Sequence, residues 1–301
     1  MRKLQIGTSL GLLLASAVLG WAQDLPERAA DPYLGAIVVE ASTGEVLFED
    51  RADEQGYPAS VIKLMTLLLV LEQVDAGALS LDDAVLVSAD ASRMGGSQVY
   101  LKEHESFSVD ELLYALVVQS ANDAAAALAE RVSGSRDAFV ELMAARASAL
   151  GMDSTEIHSV HGLPPAVGQQ PDVTTARDLS ILCRELMKHP RALEYTATQE
   201  RPFRDGEFIM RTHNSLLLKV PGCDGLKTGY FRKAGYSIAA TAERQGNRII
   251  AIVLDSKDRV ARNRKAEELL AYGFRELARL RRERHAKPRV AAPPKEKKAG
   301  K

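Results

Sequence analysis

Pro58-Ala59-Ser60-Val61-Ile62-Lys63-Leu64-Met65-Thr66 runs directly into Leu67-Leu68-Leu69-Val70-Leu71, and the whole segment has the composition of one buried helix. It is apolar on nearly every side, so it belongs in the middle of a domain, yet its first turn carries a hydroxyl and an amine. Ser60 and Lys63 stand three apart, which on a helix lays the ammonium over the hydroxyl on one face. The positive end of the helix dipole there favours a developing anion. A helix cap with a surface lysine would use the same residue types, but Lys63 has apolar neighbours on both sides. An amine partly withdrawn from water loses proton affinity, and a general base working near neutral pH needs that loss. The turn is therefore a candidate nucleophile with its base.

The chain of 301 residues, 46% of them hydrophobic, can bury one large core or two intertwined lobes. Its 39 basic and 40 acidic residues nearly cancel, so charge offers no argument for a nucleic-acid partner, although the C-terminus is basic. Arg2 and Lys3 precede an uncharged apolar run over 4–21, with Gly20 and Ala22 as small residues. This pattern predicts a signal peptide over 1–22, cleaved after Ala22, with a polar leader over 23–32. A retained membrane anchor is the competing reading, and the run lies near the lower limit for crossing a bilayer. No cysteine directly follows it, which argues against a lipid anchor. Export would place the mature chain in an oxidising compartment. With only Cys183 and Cys223 it is no disulfide scaffold, and one bridge or two free thiols both fit.

Moving outward, strands over 35–40 and 45–49 flank Ala41-Ser42-Thr43-Gly44 as a hairpin that leads to the Ser60 helix. Periodicity weakens over 79–105, where Met94-Gly95-Gly96-Ser97 marks a loop of no evident role. Ser108-Val109-Asp110-Glu111 is a capping box opening a helix that stops at Gln119. Helices follow over 123–132 and 137–150, the latter ended by Gly151, so Ser120-Ala121-Asn122 sits on an inter-helix loop. Thr174-Thr175-Ala176-Arg177-Asp178 caps an apolar helix reaching Met187. The last third changes to strands over 225–230, 236–242 and 248–254, with Gln245-Gly246-Asn247 as a hairpin turn. An amphipathic helix over 260–284 and a basic Pro/Ala/Lys tail over 285–301, expected to be disordered, complete the chain.

Ser120-Ala121-Asn122 carries little information alone, since Ser and Asn populate helix caps everywhere. Lys227-Thr228-Gly229 lies on a predicted strand, where the small Gly229 leaves room for a substrate backbone to pair along the edge. A lysine guarding an exposed strand end is the plainer explanation. Taken together and in this order, Ser-x-x-Lys, Ser-x-Asn and Lys-Thr-Gly resemble the signature of the penicillin-recognising serine acyl-transferases. Within that group the chain resembles the low-molecular-mass D-alanyl-D-alanine carboxypeptidases, peptidase family S11, from about Tyr33 to Arg279. Pro58-Ala59, Gln119 to Asp123, His161-Gly162-Leu163, Thr175-Ala176-Arg177-Asp178 and Asp224 to Gly229 all carry that likeness.

The resemblance implies an α/β (α+β) fold of the β-lactamase/transpeptidase type, an antiparallel sheet flanked by helices plus a helical lobe, forming one catalytic domain over 33–284. It implies that Ser60 is acylated by the D-Ala-D-Ala carbonyl of a peptidoglycan stem peptide and by β-lactams, with Lys63 taking its proton. Ser120 and Asn122 would relay protons and hold the substrate amide. Lys227, Thr228 and Gly229 would form the substrate edge, the first two meeting the terminal carboxylate. Backbone N–H groups of Ser60 and Tyr230 would make the oxyanion hole. Ungapped counting from Lys227 places a further carboxylate-binding arginine at Arg262, which a surface helix position would also explain. No metal and no cofactor is implied.

The chain departs from the pattern at Ala121, where glycine is common and the backbone is left slightly less free. It departs again at Tyr230 and Phe231, which would narrow the cleft. Nothing after the last helix leaves room for the small β-domain of many relatives. The basic tail is read as solvated, with electrostatic association to the anionic envelope as the alternative. A D,D-endopeptidase shares fold and motifs and is the main competing function. A β-lactamase would add Glu-x-x-Leu-Asn, which is absent. A non-catalytic sensor is opposed by retention of every motif residue. His158 and His161 have ligand-like spacing without acidic partners to complete a zinc site, so His161 is expected to order its loop.

Overall fold

The computed structural model describes residues 33–286. The predicted signal peptide and leader, and the tail from 287 onward, lie outside the described residues. Strands β1 (Gly35–Glu40) and β2 (Val46–Asp50) form the expected antiparallel hairpin. They join three later strands, β7 (Cys223–Phe231), β8 (Gly235–Arg244) and β9 (Asn247–Ser256), in a sheet of spatial order β2-β1-β9-β8-β7. All neighbours in it pair antiparallel. Every residue of β1 is buried, because the strand is flanked by β9 and β2 and covered on both faces. Alternation along it then sorts apolar residues between two cores rather than between core and water. Ile37 and Val39 enter one core, Ala36 and Val38 the other.

The first core is built around α1 (Lys63–Asp75), buried without a break from Lys63 to Leu71. The 58–71 stretch is not a single helix, however. Ala59–Ile62 forms a 3-10 turn, and α1 begins only at Lys63. Ala59 takes a left-handed backbone, φ 46°, which an α-helix cannot continue. A small β3 (Ala84–Leu86), a one-turn α2 (Ala89–Ser92) and β4 (Ser106–Ser108) follow, β3 pairing with β4. The Ser108 capping box forms as read and opens α3 (Val109–Tyr114), which passes into a π-helical turn over Ala115–Gln119. With α4 (Asn122–Ser133) and α5 (Arg136–Leu150) these elements make the helical lobe around α1.

Thr175 caps α6 (Ala176–Leu186), whose apolar face meets β1 and β9. Helix α7 (Arg191–Thr196) and the hairpin of β5 (Glu200–Phe203) and β6 (Phe208–Arg211) were not legible. These segments are short, and their charged residues interrupt any period. A 3-10 turn over Ser215–Leu218 precedes the three long strands, β7 (Cys223–Phe231), β8 (Gly235–Arg244) and β9 (Asn247–Ser256). Helix α8 (Arg259–Ala286) covers the outer face with Ala266, Leu269, Leu270 and Leu277, and its last residues pass the boundary expected at 284. Cys183 and Cys223 are free thiols.

Candidate active site

Ser60 and Lys63 meet where the sheet edge abuts the helical lobe. Lys63 Nζ donates to Ser60 Oγ at 2.8 Å and to the His161 carbonyl at 2.7 Å. Only 1% of Lys63 is exposed. Burial first, then the neighbouring Lys227, holds its amine well below the ordinary value of 10.5, while Asp172 and Asp123 oppose that fall. An amine so placed is available as a base.

Two backbone approaches set the position of the Ser60 turn. β7 is the edge strand of the sheet and passes directly beside it. At Gly229 a methyl group would stand 2.5 Å from the Pro58 carbonyl oxygen and 3.1 Å from Ser60 N. The glycine of Lys-Thr-Gly is thus needed first for contact with the nucleophile turn, whereas the sequence reading assigned its smallness to substrate room. On the other side Gly162, at φ 76°, lies where a methyl would come within 2.0 Å of the Ala59 carbonyl oxygen.

The Ser-x-Asn segment approaches the site through Asp123, whose charge acts on Lys63, and through Gly96, which faces both Asn122 and Leu163. Ser120 is buried and left-handed, φ 62°, at the end of the π-helical turn. Ala121 has φ −64° and ψ 122°, an ordinary extended conformation, so alanine carries no penalty there. Asn122 Nδ2 donates to Gly95 O at 2.6 Å, and its backbone N–H donates to Ser97 O at 2.8 Å. The 94–97 loop, whose role the sequence left open, therefore holds this asparagine. Asn122 Oδ1 is buried without a partner among the described residues. Asp123, from the same turn, accepts from the N–H groups of Val99 and Leu101 and ties the rest of that loop down.

Beyond Lys63 the site holds a cluster of buried cations. Lys227 is buried, and that burial followed by the charge of Arg262 pushes its amine down to about 7. Arg262, in the first turn of α8, is 3% exposed, so the surface explanation does not hold. Its guanidinium donates to Asn263 Oδ1 at 2.9 and 2.8 Å and to Ser237 O at 3.4 Å. Thr228 is buried beside Lys227 on β7. His213, just before the 215–218 turn, was not singled out from sequence. Burial of its ring, and then the charges of Lys227, Lys63 and Arg262, push it down to about 4, so it stays neutral. Like charges packed this closely are unfavourable until an anion joins them, and such a cluster can accept a carboxylate.

Tyr230 is 53% exposed and stacks on Tyr236 across the hairpin, ring centroids 4.2 Å apart. Phe231 leans on Tyr57 at 5.8 Å. The two aromatics after Lys-Thr-Gly thus form a rim held by their own neighbours. His161 orders its loop as expected, Nδ1 accepting from the Leu163 N–H at 3.1 Å. Its ring is pushed down to about 3 by burial, then by Lys63 and Arg136.

The profile of the D-alanyl-D-alanine carboxypeptidase family, peptidase family S11, matches residues 24–258. The chain is 35% identical to D-alanyl-D-alanine carboxypeptidase DacF of Bacillus subtilis over 242 residues, 79% of this chain and 61% of that protein. It is 34% identical to DacC of Escherichia coli over 282 residues, 91% of this chain and 69% of that protein. Among solved structures, penicillin binding protein 6B from Escherichia coli superposes with a TM-score of 0.78 at 30% identity, over 85% of this chain and 80% of that one. Penicillin-Binding Protein D2 from Listeria monocytogenes, in its ampicillin-bound form, superposes with a TM-score of 0.73 at 36% identity, over 81% of this chain and 97% of that one. The match spans the hairpin, the Ser60 turn, the inter-helix loop and β7, and on it the chain belongs to the D-alanyl-D-alanine carboxypeptidase family, peptidase family S11.

Proposed function

We propose that this protein is an exported serine D,D-carboxypeptidase that releases the terminal D-alanine of peptidoglycan stem peptides through an acyl-enzyme on Ser60. Lys63, whose proton affinity burial lowers, takes the Oγ proton as Oγ bonds to the carbonyl carbon of the penultimate D-alanine. The backbone N–H groups of Ser60 and Tyr230 hold the oxyanion. The C–N bond to the terminal D-alanine then breaks, its amine receiving the proton from Lys63 by way of Ser120. Water attacks the ester in the second half-reaction and restores Ser60. Asn122 holds the substrate amide, Gly229 lets the nucleophile turn sit against the strand, and Lys227, Thr228 and Arg262 receive the terminal carboxylate.

The observation that carries this reading is the 2.8 Å contact from a wholly buried lysine amine to a serine hydroxyl. A β-lactam presents the same carbonyl and carboxylate and acylates the same serine. The signal peptide over 1–22 and release into the periplasm or cell envelope belong to the proposal, as does the basic tail as a solvated segment.

Mass spectrometry after incubation with a penicillin tests the chemistry, with D-alanine release from diacetyl-Lys-D-Ala-D-Ala followed in parallel. A slowly clearing adduct on Ser60 with D-alanine release is expected, and none in Ser60→Ala. An adduct on any other residue, or D-alanine release unchanged in Ser60→Ala, would refute it.

A further inference from the structure

Asp172 is named by no motif, lies in the loop between α5 and α6, and is 6% exposed. Its Oδ1 accepts from the His158 N–H at 2.6 Å and the Ser159 N–H at 2.8 Å, and its Oδ2 accepts from Ser159 Oγ at 2.6 Å. Ser159 Oγ in turn accepts from the Gly162 N–H at 2.8 Å and the His161 N–H at 3.4 Å. The turn so fastened supplies three contacts to the nucleophile side. The His161 carbonyl accepts from Lys63 Nζ at 2.7 Å, the Val160 carbonyl accepts from Thr66 Oγ1 at 3.0 Å, and Gly162 rests against the Ala59 carbonyl. One carboxylate therefore organises, through one hydroxyl, the wall that locates both the base and the turn carrying Ser60.

Resting on the function proposed above, we infer that Asp172 is a positioning residue of the reaction, holding the 158–162 turn against Lys63 and Ala59 and setting its carboxyl where it acts on the base. Burial pushes its carboxyl above the ordinary 3.8, and the donors of its own loop, Ser159 and His158, oppose that rise while engaging both oxygens, so it is built to orient. Five titratable groups face Lys63 among the described residues: Lys227 from β7 lowers its proton affinity, Asp123 from α4 and Asp172 raise it, and the rings of His161 and His213 are neutral. Removing the Asp172 charge therefore makes Lys63 easier to deprotonate, while loosening its 2.7 Å carbonyl partner makes it a less well placed base.

The test compares wild type, Asp172→Asn and Ser159→Ala in the pH dependence of the second-order rate of acylation by a fluorescent penicillin, each variant first checked by thermal melting. Ser159→Ala breaks the relay and keeps the charge, so it also serves if Asp172→Asn does not fold. Both variants should acylate about tenfold more slowly at the wild-type optimum, the equivalent of roughly 1.4 kcal/mol. The acid limb should move to lower pH in Asp172→Asn and move less in Ser159→Ala. Rates within twofold of wild type in both variants, or a slower Asp172→Asn with a stationary or raised limb, would overturn the inference. Wild type forming no adduct at all would instead overturn the function on which it rests.

Discussion

Gly229→Ala isolates the contact between β7 and the nucleophile turn. The added methyl would stand 2.5 Å from Pro58 O, 3.1 Å from Ser60 N and 3.1 Å from Val61 Cγ2, where ordinary contact begins at 3.4 Å. The strand and the turn must therefore part by the difference between 3.4 and 2.5 Å, about 0.9 Å. Backbone lines both sides of the clash, so no side chain can swing away to absorb it. Overpacking of this kind costs roughly 1–3 kcal/mol of stability, which a domain with a stability of about 5–15 kcal/mol survives. The reaction geometry is less tolerant, because a misplacement of about 1 Å can cost on the order of 100-fold in rate. The same gap widens the space between the Ser60 and Tyr230 N–H groups proposed for the oxyanion. Stopped-flow acylation by a fluorescent penicillin, with thermal denaturation alongside, should give a folded protein that acylates about 100-fold more slowly. An acylation rate within threefold of wild type, in a variant whose melting temperature had fallen, would show that the spacing is structural and has no part in the chemistry.

Arg262→Gln removes one charged donor from the carboxylate cluster, an interaction of about 1.5–3 kcal/mol, so kcat/KM for D-Ala-D-Ala peptides should fall on the order of 10- to 100-fold. A C-terminally amidated substrate, already slow, should lose little further; an equal loss would refute the carboxylate contact. In the pH profile of kcat/KM the acid limb reports Lys63, which must be neutral and whose depressed affinity carries it well below 10.5. The alkaline limb reports Lys227, which must be charged and loses its proton at about 7 in the free enzyme. A bound carboxylate raises that affinity, so the alkaline limb of kcat should lie above that of kcat/KM, and coincident limbs would count against Lys227 as carboxylate ligand. Thiol titration of the unreduced, denatured protein should find both Cys183 and Cys223. The native protein should withhold Cys183, whose thiol burial pushes far up, and a disulfide-linked peptide in the digest would contradict the fold.

The elements that could be read from the chain alone are those with local causes. The β1–β2 hairpin, the Ser108 capping box, the Thr175 cap, the Gly151 stop and the three long strands each have a period or a terminus written in a few neighbouring residues. The three motifs likewise mark Ser60, Lys63, Ser120, Asn122, Lys227 and Thr228 in the sequence itself, because their chemistry requires fixed residue types at short spacing. What lay beyond reach came from contacts distant in sequence. His161 reaches Lys63 across 98 residues and Asn122 reaches Gly95 across 27, and no periodicity encodes either. The burial of Arg262 depends on where α8 docks against β8, and the purpose of Gly229 on what stands opposite it. Residue type and spacing thus determined which groups this protein possesses. Only the packing of sheet edge against helical lobe decided how dry they are, since desolvation and close backbone approach belong to neighbours in space rather than in the chain.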